Sequence, residues 1–325
     1  MDTKIYRAAL VGLGNIAWRF NKMSQISNPV LTHAAAFARN DRTALVGGCS
    51  PNEEDCRNFE ATYGLPAFNS LEDLIKNLSP DVLSICSPPE FHFEQVFCAV
   101  DKKISMIWLE KPPAVTLKQV DTLIKQTKNM GDKAKVLVNY QRRYMEPYIK
   151  LKSFYDTEIM GKCPIIQATY SRGLEANGSH ILDMIFHIVG EERQFTLNLS
   201  STHLDDQNPS FTINFEGGPH VFVMGCDLTY HNVDISLTCT KGRMSVLYGG
   251  MKMMIEEKVE HEYYPGFFRL KAADENALGY EGFGPSMEAP LQDLINSFEN
   301  KQLPKSNLVT ARPTMAVIEQ IKSLQ

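Results

Sequence analysis

The stretch Ala9-Leu10-Val11-Gly12-Leu13-Gly14-Asn15-Ile16-Ala17 joins an apolar run to a G-x-G-x-x-A turn close to the N-terminus. Ile5 to Val11 is long and apolar enough to form a buried parallel strand. Gly12 permits a tight turn, and Gly14 lets the backbone approach a pyrophosphate that a Cβ would hold away. Ala17 is small enough to keep the next helix against the strand. A helix opening near Asn15 and Ile16 aims unsatisfied N–H groups and the positive end of its dipole at phosphate. The pattern is short and recurs by chance, so its weight comes from the strand before it and the helix after it.

That context continues for about the first 140 residues. Strands are predicted at Ile5 to Val11, Thr43 to Cys49, Val82 to Ser87, Ser105 to Leu109 and Lys135 to Asn139. Helices are predicted at Glu53 to Tyr63, Leu71 to Leu78, Phe91 to Val100 and Leu117 to Met130. Strands alternating with helices imply crossovers and a parallel, doubly wound sheet. Between Ala17 and His33 the pattern breaks, so the first helix is expected to be interrupted and extended by a loop. From about residue 163 the alternation gives way to successive strands with short turns. They are placed at Pro164 to Tyr170, Phe195 to Ser201, Ser210 to Phe215, His220 to Cys226, Val233 to Thr240 and Arg243 to Leu247. Helices are placed at Ser179 to Val189, Met287 to Asn300 and Thr310 to Ser323. The expectation is an α/β chain with a Rossmann domain at 1–140, then an α+β domain at 141–325 built on a large, mostly antiparallel open sheet.

Composition narrows the function classes. The chain has 325 residues and a formal net charge of −5, which offers no general attraction to nucleic acid or to an anionic membrane. The strand that starts within the first few residues leaves no room for a basic and apolar leader, and no apolar run reaches membrane-spanning length. A cytoplasmic location is expected. Seven cysteines are scattered singly, without C-x-x-C pairs or accompanying histidines. They are read as reduced, mostly buried residues, and no metal site is expected.

Several polar residues stand where a doubly wound sheet presents its ligands. The second strand commonly ends in an acid for the adenosine ribose, but here Cys49 leads into Ser50-Pro51-Asn52, which leaves NAD and NADP both open. Ser87 ends the strand from Val82 and leads into Pro88 and His92, and Glu110 and Lys111 follow the strand from Ser105 to Leu109. Lys111, held between a buried strand and Pro112-Pro113, is more restrained than a surface lysine needs to be. Arg142 and Arg143 come after the strand from Lys135 to Asn139, where either can grip a substrate hydroxyl, carboxylate or phosphate, or simply pair with an acid. Asp183 and His187 are four residues apart and share a helix face. Asn177 and His180 are candidate substrate contacts near the start of that helix, where Asn177 or Ser179 also suits a cap.

Taken in order, these landmarks resemble the Gfo/Idh/MocA family, the glucose-fructose oxidoreductase and inositol dehydrogenase group. The resemblance rests on Gly12/Gly14/Ala17, Ser87-Pro88 with His92 and Glu94, Glu110-Lys111-Pro112, the segment Tyr140 to Tyr144, and Asp183-x-x-x-His187. It implies NAD(P)-dependent hydride transfer between the nicotinamide and a secondary alcohol or ketone of a sugar, polyol or nucleotide-sugar. It also implies a homodimer or homotetramer and a substrate pocket lined by Lys111, Asp183 and His187. His187, with a reference pKa near 6.5, suits proton exchange, with Lys111 orienting the reacting oxygen and Asp183 positioning the pair; the first two roles can be exchanged. Ser50 and the enlarged segment from Trp18 to Thr32 depart from the family pattern. The alternative is a dinucleotide-binding regulator or sensor that has lost catalysis.

Overall fold

The computed structural model describes residues 4–25, 29–200, 207–273 and 286–324. The chain divides into two compact units, one of residues 1–141 with 285–312 and the other of 142–284 with 313–325.

In the first unit, β1 (Tyr6–Val11), β2 (Thr43–Cys49), β3 (Ala67–Phe68), β4 (Val82–Ile85), β5 (Met106–Leu109) and β6 (Lys135–Val138) form one sheet. Their order is β3-β2-β1-β4-β5-β6, and every pairing is parallel. The strand order therefore reverses between β1 and β4, the point at which an open α/β sheet leaves a crevice beyond its strand ends. The central strands are buried on both faces, as continuous runs such as Met106-Ile107-Trp108-Leu109 require.

Helices cover the sheet: α1 (Phe20–Met23), α2 (His33–Arg39), α3 (Glu53–Tyr63), α4 (Leu71–Leu78), α5 (Pro89–Asp101) and α6 (Leu117–Met130). Local chemistry sets their starts. Asn52 Oδ1 accepts from the N–H groups of Glu54 and Asp55, Ser70 caps α4, and Thr116 with Gln119 forms a capping box on α6. Pro89 opens α5 two residues earlier than the periodicity of Phe91 onward suggests, because its missing N–H costs nothing in a first turn. The expected interruption after the glycine turn is present: a π turn at Asn15–Arg19 runs into the short α1, and α2 starts only at His33.

The second unit holds α7 (Glu146–Thr157), β7 (Ile165–Ser171), α8 (Ser179–Val189), β8 (Phe195–Leu199), β9 (Phe211–Phe215), β10 (His220–Cys226), β11 (Val233–Cys239), β12 (Gly242–Leu247), β13 (Lys252–Glu260) and β14 (Phe268–Ala272). Among the described residues its sheet has eight strands in the order β14-β13-β12-β11-β7-β10-β9-β8. β7 and β10 pair in parallel and the other pairs are antiparallel. In β10, Val221 and Val223 are buried while Phe222 and Met224 alternate outward. Ser201, expected to end β8, lies outside the described residues.

The chain then returns to the first unit through α9 (Glu288–Glu299), and residues 308–312 of α10 (Leu308–Leu324) also belong there. A second domain running continuously over 141–325 differs from this division. Tyr6 Oη donates to Glu299 Oε1 at 2.9 Å, and Val138 N–H donates to Ser306 O at 3.0 Å. The returning segment therefore covers the β6 edge and adds Leu308 and Ala311 to the core. Among the described residues no helix is long and apolar enough to cross a membrane.

Candidate functional site

Two groups of site residues can be built up, one in each unit. The first surrounds a cavity of about 870 Å³ at the ends of β1, β2 and β4, within the size range of small-molecule sites. Gly12, Gly14, Asn15, Ile16, Ser50, Ser87 and Pro88 all line it. The two glycines are needed for different reasons. Gly12 has φ +84°, and a Cβ there would lie 2.7 Å from Ser87 N, so the turn itself excludes a side chain. A Cβ on Gly14 would meet nothing within 4 Å. It would stand in the cavity, so the space above Gly14 is a cradle that a side chain would fill. Those features fit a dinucleotide pyrophosphate.

Ala17 is buried beneath this turn and does not line the cavity. Trp18, in the same π turn, donates its indole N–H to Leu13 O at 3.0 Å and packs edge-on against Phe59 and Tyr63. The enlarged segment is thus pinned to α3 at its start. At the far end of the cavity Ser50 is buried, and its hydroxyl accepts from Asn52 N–H. Glu53 and Glu54 do not line the cavity, whereas Asp55 does. That carboxylate, six residues beyond the end of β2, lies outside the position where a sequence template looks for the ribose acid.

His92, Glu110 and Lys111 stand behind the cavity rather than on its wall. The buried ring of His92 spans Pro112 O at 2.7 Å and Ser87 O at 2.8 Å, tying the Lys111-Pro112 segment to a cavity residue. Glu110 is the anchor of a buried network. His33 Nε2–H donates to its Oε1 at 3.0 Å, and the Ser84 hydroxyl lies within hydrogen-bond distance of His33 Nδ1. Asn139 Nδ2 donates to the same carboxylate at 2.6 Å, and Trp108 Nε1–H donates to Asn139 Oδ1 at 3.1 Å. Burial pushes the Glu110 carboxyl up, but the hydrogen bond and charge of His33, with Asn139 and Lys111, leave it below its usual value. The Lys111 amide N–H donates to Glu110 Oε2 at 3.2 Å, so this network fixes the backbone from which Lys111 projects. His33 and Asn139 carried no motif; an apolar-flanked histidine after a loop gave no signal of its partner.

The second group lies along α8, where every residue except His187 is buried. Arg143, expected to grip a substrate, is itself buried, with its guanidinium engaged inside the unit. Nε donates to Asp183 Oδ2 at 2.9 Å and Nη2 to Oδ1 at 2.7 Å, a bidentate fork. Nη1 donates to Glu191 Oε1 at 2.8 Å and to His187 Nδ1 at 3.3 Å. Burial alone would lower the pKa of this guanidinium, but the carboxylates of Asp183 and Glu191 raise it above its ordinary value. Asp183 therefore serves Arg143 directly, and the paired Asp183/His187 face is joined through that arginine. Removing one member of such a buried pair typically costs about 3–5 kcal/mol. Glu191, which sequence spacing did not single out, is i+4 from His187 and 3.7 Å from its Nδ1.

Neither Asn177 nor Ser179 caps α8, because a π turn at Leu174–Gly178 already precedes it. Buried Asn177 donates to Ser171 O at 2.8 Å and to His231 Nδ1 at 3.2 Å. Ser179 donates back to Glu175 O, and His180 is buried. Tyr140 is buried in the first unit's core.

The Gfo/Idh/MocA family model, described as an oxidoreductase family with an NAD-binding Rossmann fold, matches residues 6–140. These residues belong to the Gfo/Idh/MocA oxidoreductase family. Among curated relatives, the chain is 26% identical over 220 residues to myo-inositol 2-dehydrogenase of Thermotoga maritima, covering 62% of this chain and 60% of that protein. It is 24% identical over 180 residues to D-glucoside 3-dehydrogenase of Escherichia coli, covering 55% and 46%. The chain thus spans about half the length of the curated relatives it matches. UDP-N-acetylglucosamine 3-dehydrogenase of Acidithiobacillus ferrooxidans superposes with a TM-score of 0.74 at 17% identity, covering 98% of this chain and 99% of that one. A dehydrogenase of Chromobacterium violaceum gives 0.78 at 17% identity, covering 98% and 95%. At these identities the structural likeness establishes the two-sheet fold.

Proposed function

We propose that this protein is an NAD(P)-dependent oxidoreductase of the Gfo/Idh/MocA family that interconverts a secondary alcohol and its ketone on a sugar, polyol or nucleotide-sugar. The observation that carries the proposal is the glycine turn opening onto the cavity, with the open space above Gly14 within the stretch matched by the family model. The names of the relatives, which join dehydrogenation to a glucoside, an inositol and a nucleotide-sugar, support the substrate class.

Gly12, Gly14, Asn15, Ile16, Ser50, Ser87 and Pro88 hold the dinucleotide in this proposal, with Ala17, His92 and Glu110 supporting them from behind. The nicotinamide, when bound, supplies the hydride donor or acceptor. His187 exchanges the proton of the reacting hydroxyl. His187 gives a proton to a carbonyl oxygen only as the imidazolium, from Nε2, and is left neutral; it takes a proton from a hydroxyl at Nε2 as the neutral ring whose hydrogen is on Nδ1. In both directions that Nδ1–H turns from Arg143 Nη1 to Glu191 Oε1. Lys111 orients the reacting oxygen by donating a hydrogen bond. Asp183 acts through Arg143, which positions the imidazole, and Asn177 and His180 contribute to the substrate side.

The test is a screen of polyols, sugars and nucleotide-sugars with both cofactors, followed by Lys111→Ala and His187→Ala on the best substrate. Each variant is expected to lower turnover by at least about a hundredfold while the cofactor still binds. Unchanged turnover in both removes the catalytic assignment. Cofactor binding without turnover on any substrate by the native chain favours the sensor alternative.

A further inference from the structure

The cavity reaches its adenosine end without a cation. Its lining includes the carboxylates Asp55, Glu72 and Glu94, and among the described residues no lysine, arginine or histidine. Two arginines of this region are already paired with acids. Arg57 is exposed and faces Glu53 at 3.4 Å. Arg19 donates Nη2 to Asp55 Oδ1 but lines a separate cavity, shared with Trp18 and Lys22.

Asp55 is therefore the group shown to a ligand at the end of β2. It sits in the first turn of α3, its backbone N–H held by Asn52 Oδ1 at 3.4 Å. The Ser50 hydroxyl reaches Oδ2 at 3.4 Å, a long contact that leaves this oxygen able to accept further hydrogen bonds. Oδ1 is engaged by Arg19, which orients the carboxylate of this cavity-lining residue.

We propose that Asp55, five residues after Ser50, which directly follows β2, is the ribose-recognising acid of this chain and makes it select NAD over NADP. The inference rests on the dinucleotide site proposed above. Asp55 Oδ2 accepts a hydrogen bond from a free ribose 2′-hydroxyl. A 2′-phosphate brings about two negative charges to a carboxylate with no lining cation to offset them.

Binding of NADH and NADPH to the full chain, read by nicotinamide fluorescence and titration calorimetry, tests this without any substrate. The native protein is expected to bind NADH at least about tenfold more tightly than NADPH. Asp55→Asn is expected to shrink that ratio chiefly by tightening NADPH, because Arg19 loses its partner. Asp55→Ser provides a second variant with the same expected direction. Glu54→Gln removes the same charge from the same helix turn but off the cavity wall, and is expected to leave the ratio unchanged. Tighter NADPH than NADH in the native chain overturns the inference, as does a ratio that Asp55→Asn leaves alone or that Glu54→Gln moves equally. If neither dinucleotide binds the folded protein, the cofactor site falls, and this inference with it.

Discussion

Gly12 and Gly14 show how two identical residues in one turn can be separated by physical role. At Gly12 the backbone lies at φ +84° with Ser87 N at 2.7 Å from where a Cβ would be, so a side chain is excluded by the fold itself. Gly12→Ala is expected to lower unfolding free energy by at least about 1–2 kcal/mol, seen as an earlier midpoint in urea. At Gly14 the Cβ position is open. Gly14→Val is therefore expected to keep the native midpoint and lose NAD(P)H binding; retained binding contradicts the cradle. Both glycines were legible in the sequence because their spacing follows from phosphate geometry. Asp55 was not, since a template looks at the strand end, where this chain has Ser50. Arg143 was visible as a functional candidate, but burial and a bidentate acid partner are tertiary facts that no spacing encodes.

At the level of elements, the segment carrying Arg143 is bound to α8 and the turn after it by charge. Glu191 illustrates the consequence. Burial pushes its carboxyl up, but the neighbouring imidazole of His187 and the charge of Arg143 bring it down to about 2, from an ordinary 4.5. Folding therefore gains from ionised Glu191 above the unfolded value, and that gain is lost as pH falls from about 4.5 toward 2. Glu191→Gln is expected to be less stable than the native chain at neutral pH, with the difference closing across that acid window. Chemical denaturation at several pH values measures it, and a constant difference overturns the linkage. Periodicity located α8 at Ser179–Val189, the same bounds as in the structure, because its apolar face is long and flanked by breakers. It missed α7, whose opening Glu146-Pro147 reads as a turn, and the charged strands β13 and β14. β3 has two residues, too few for any period. Both π turns, at Asn15 and Leu174, escaped notice because nothing in composition separates them from an α-helical first turn.

On the scale of the whole molecule, the parallel sheet was legible from strand–helix alternation, and the antiparallel one from its run of strands. The division of the chain was less so. Residues 285–312 fold with the first unit, hydrogen-bonding β6 through Ser306 and bringing α9 to Tyr6. Such long-range pairing leaves no local trace. A fragment ending at residue 141 is thus expected to be poorly soluble and to melt earlier than one in which 285–312 is fused back by a linker; equal melting of the two contradicts the division. The proposed reaction is hydride transfer at a sugar-like carbinol. Its most direct test is mass spectrometry of the product after incubating the protein with candidate keto-sugars and NADH or NADPH carrying deuterium at the transferable position. Deuterium is expected on the new carbinol carbon with the native chain, and at least about a hundredfold less with His187→Ala. Firm cofactor binding without label in any product of the native protein would contradict it.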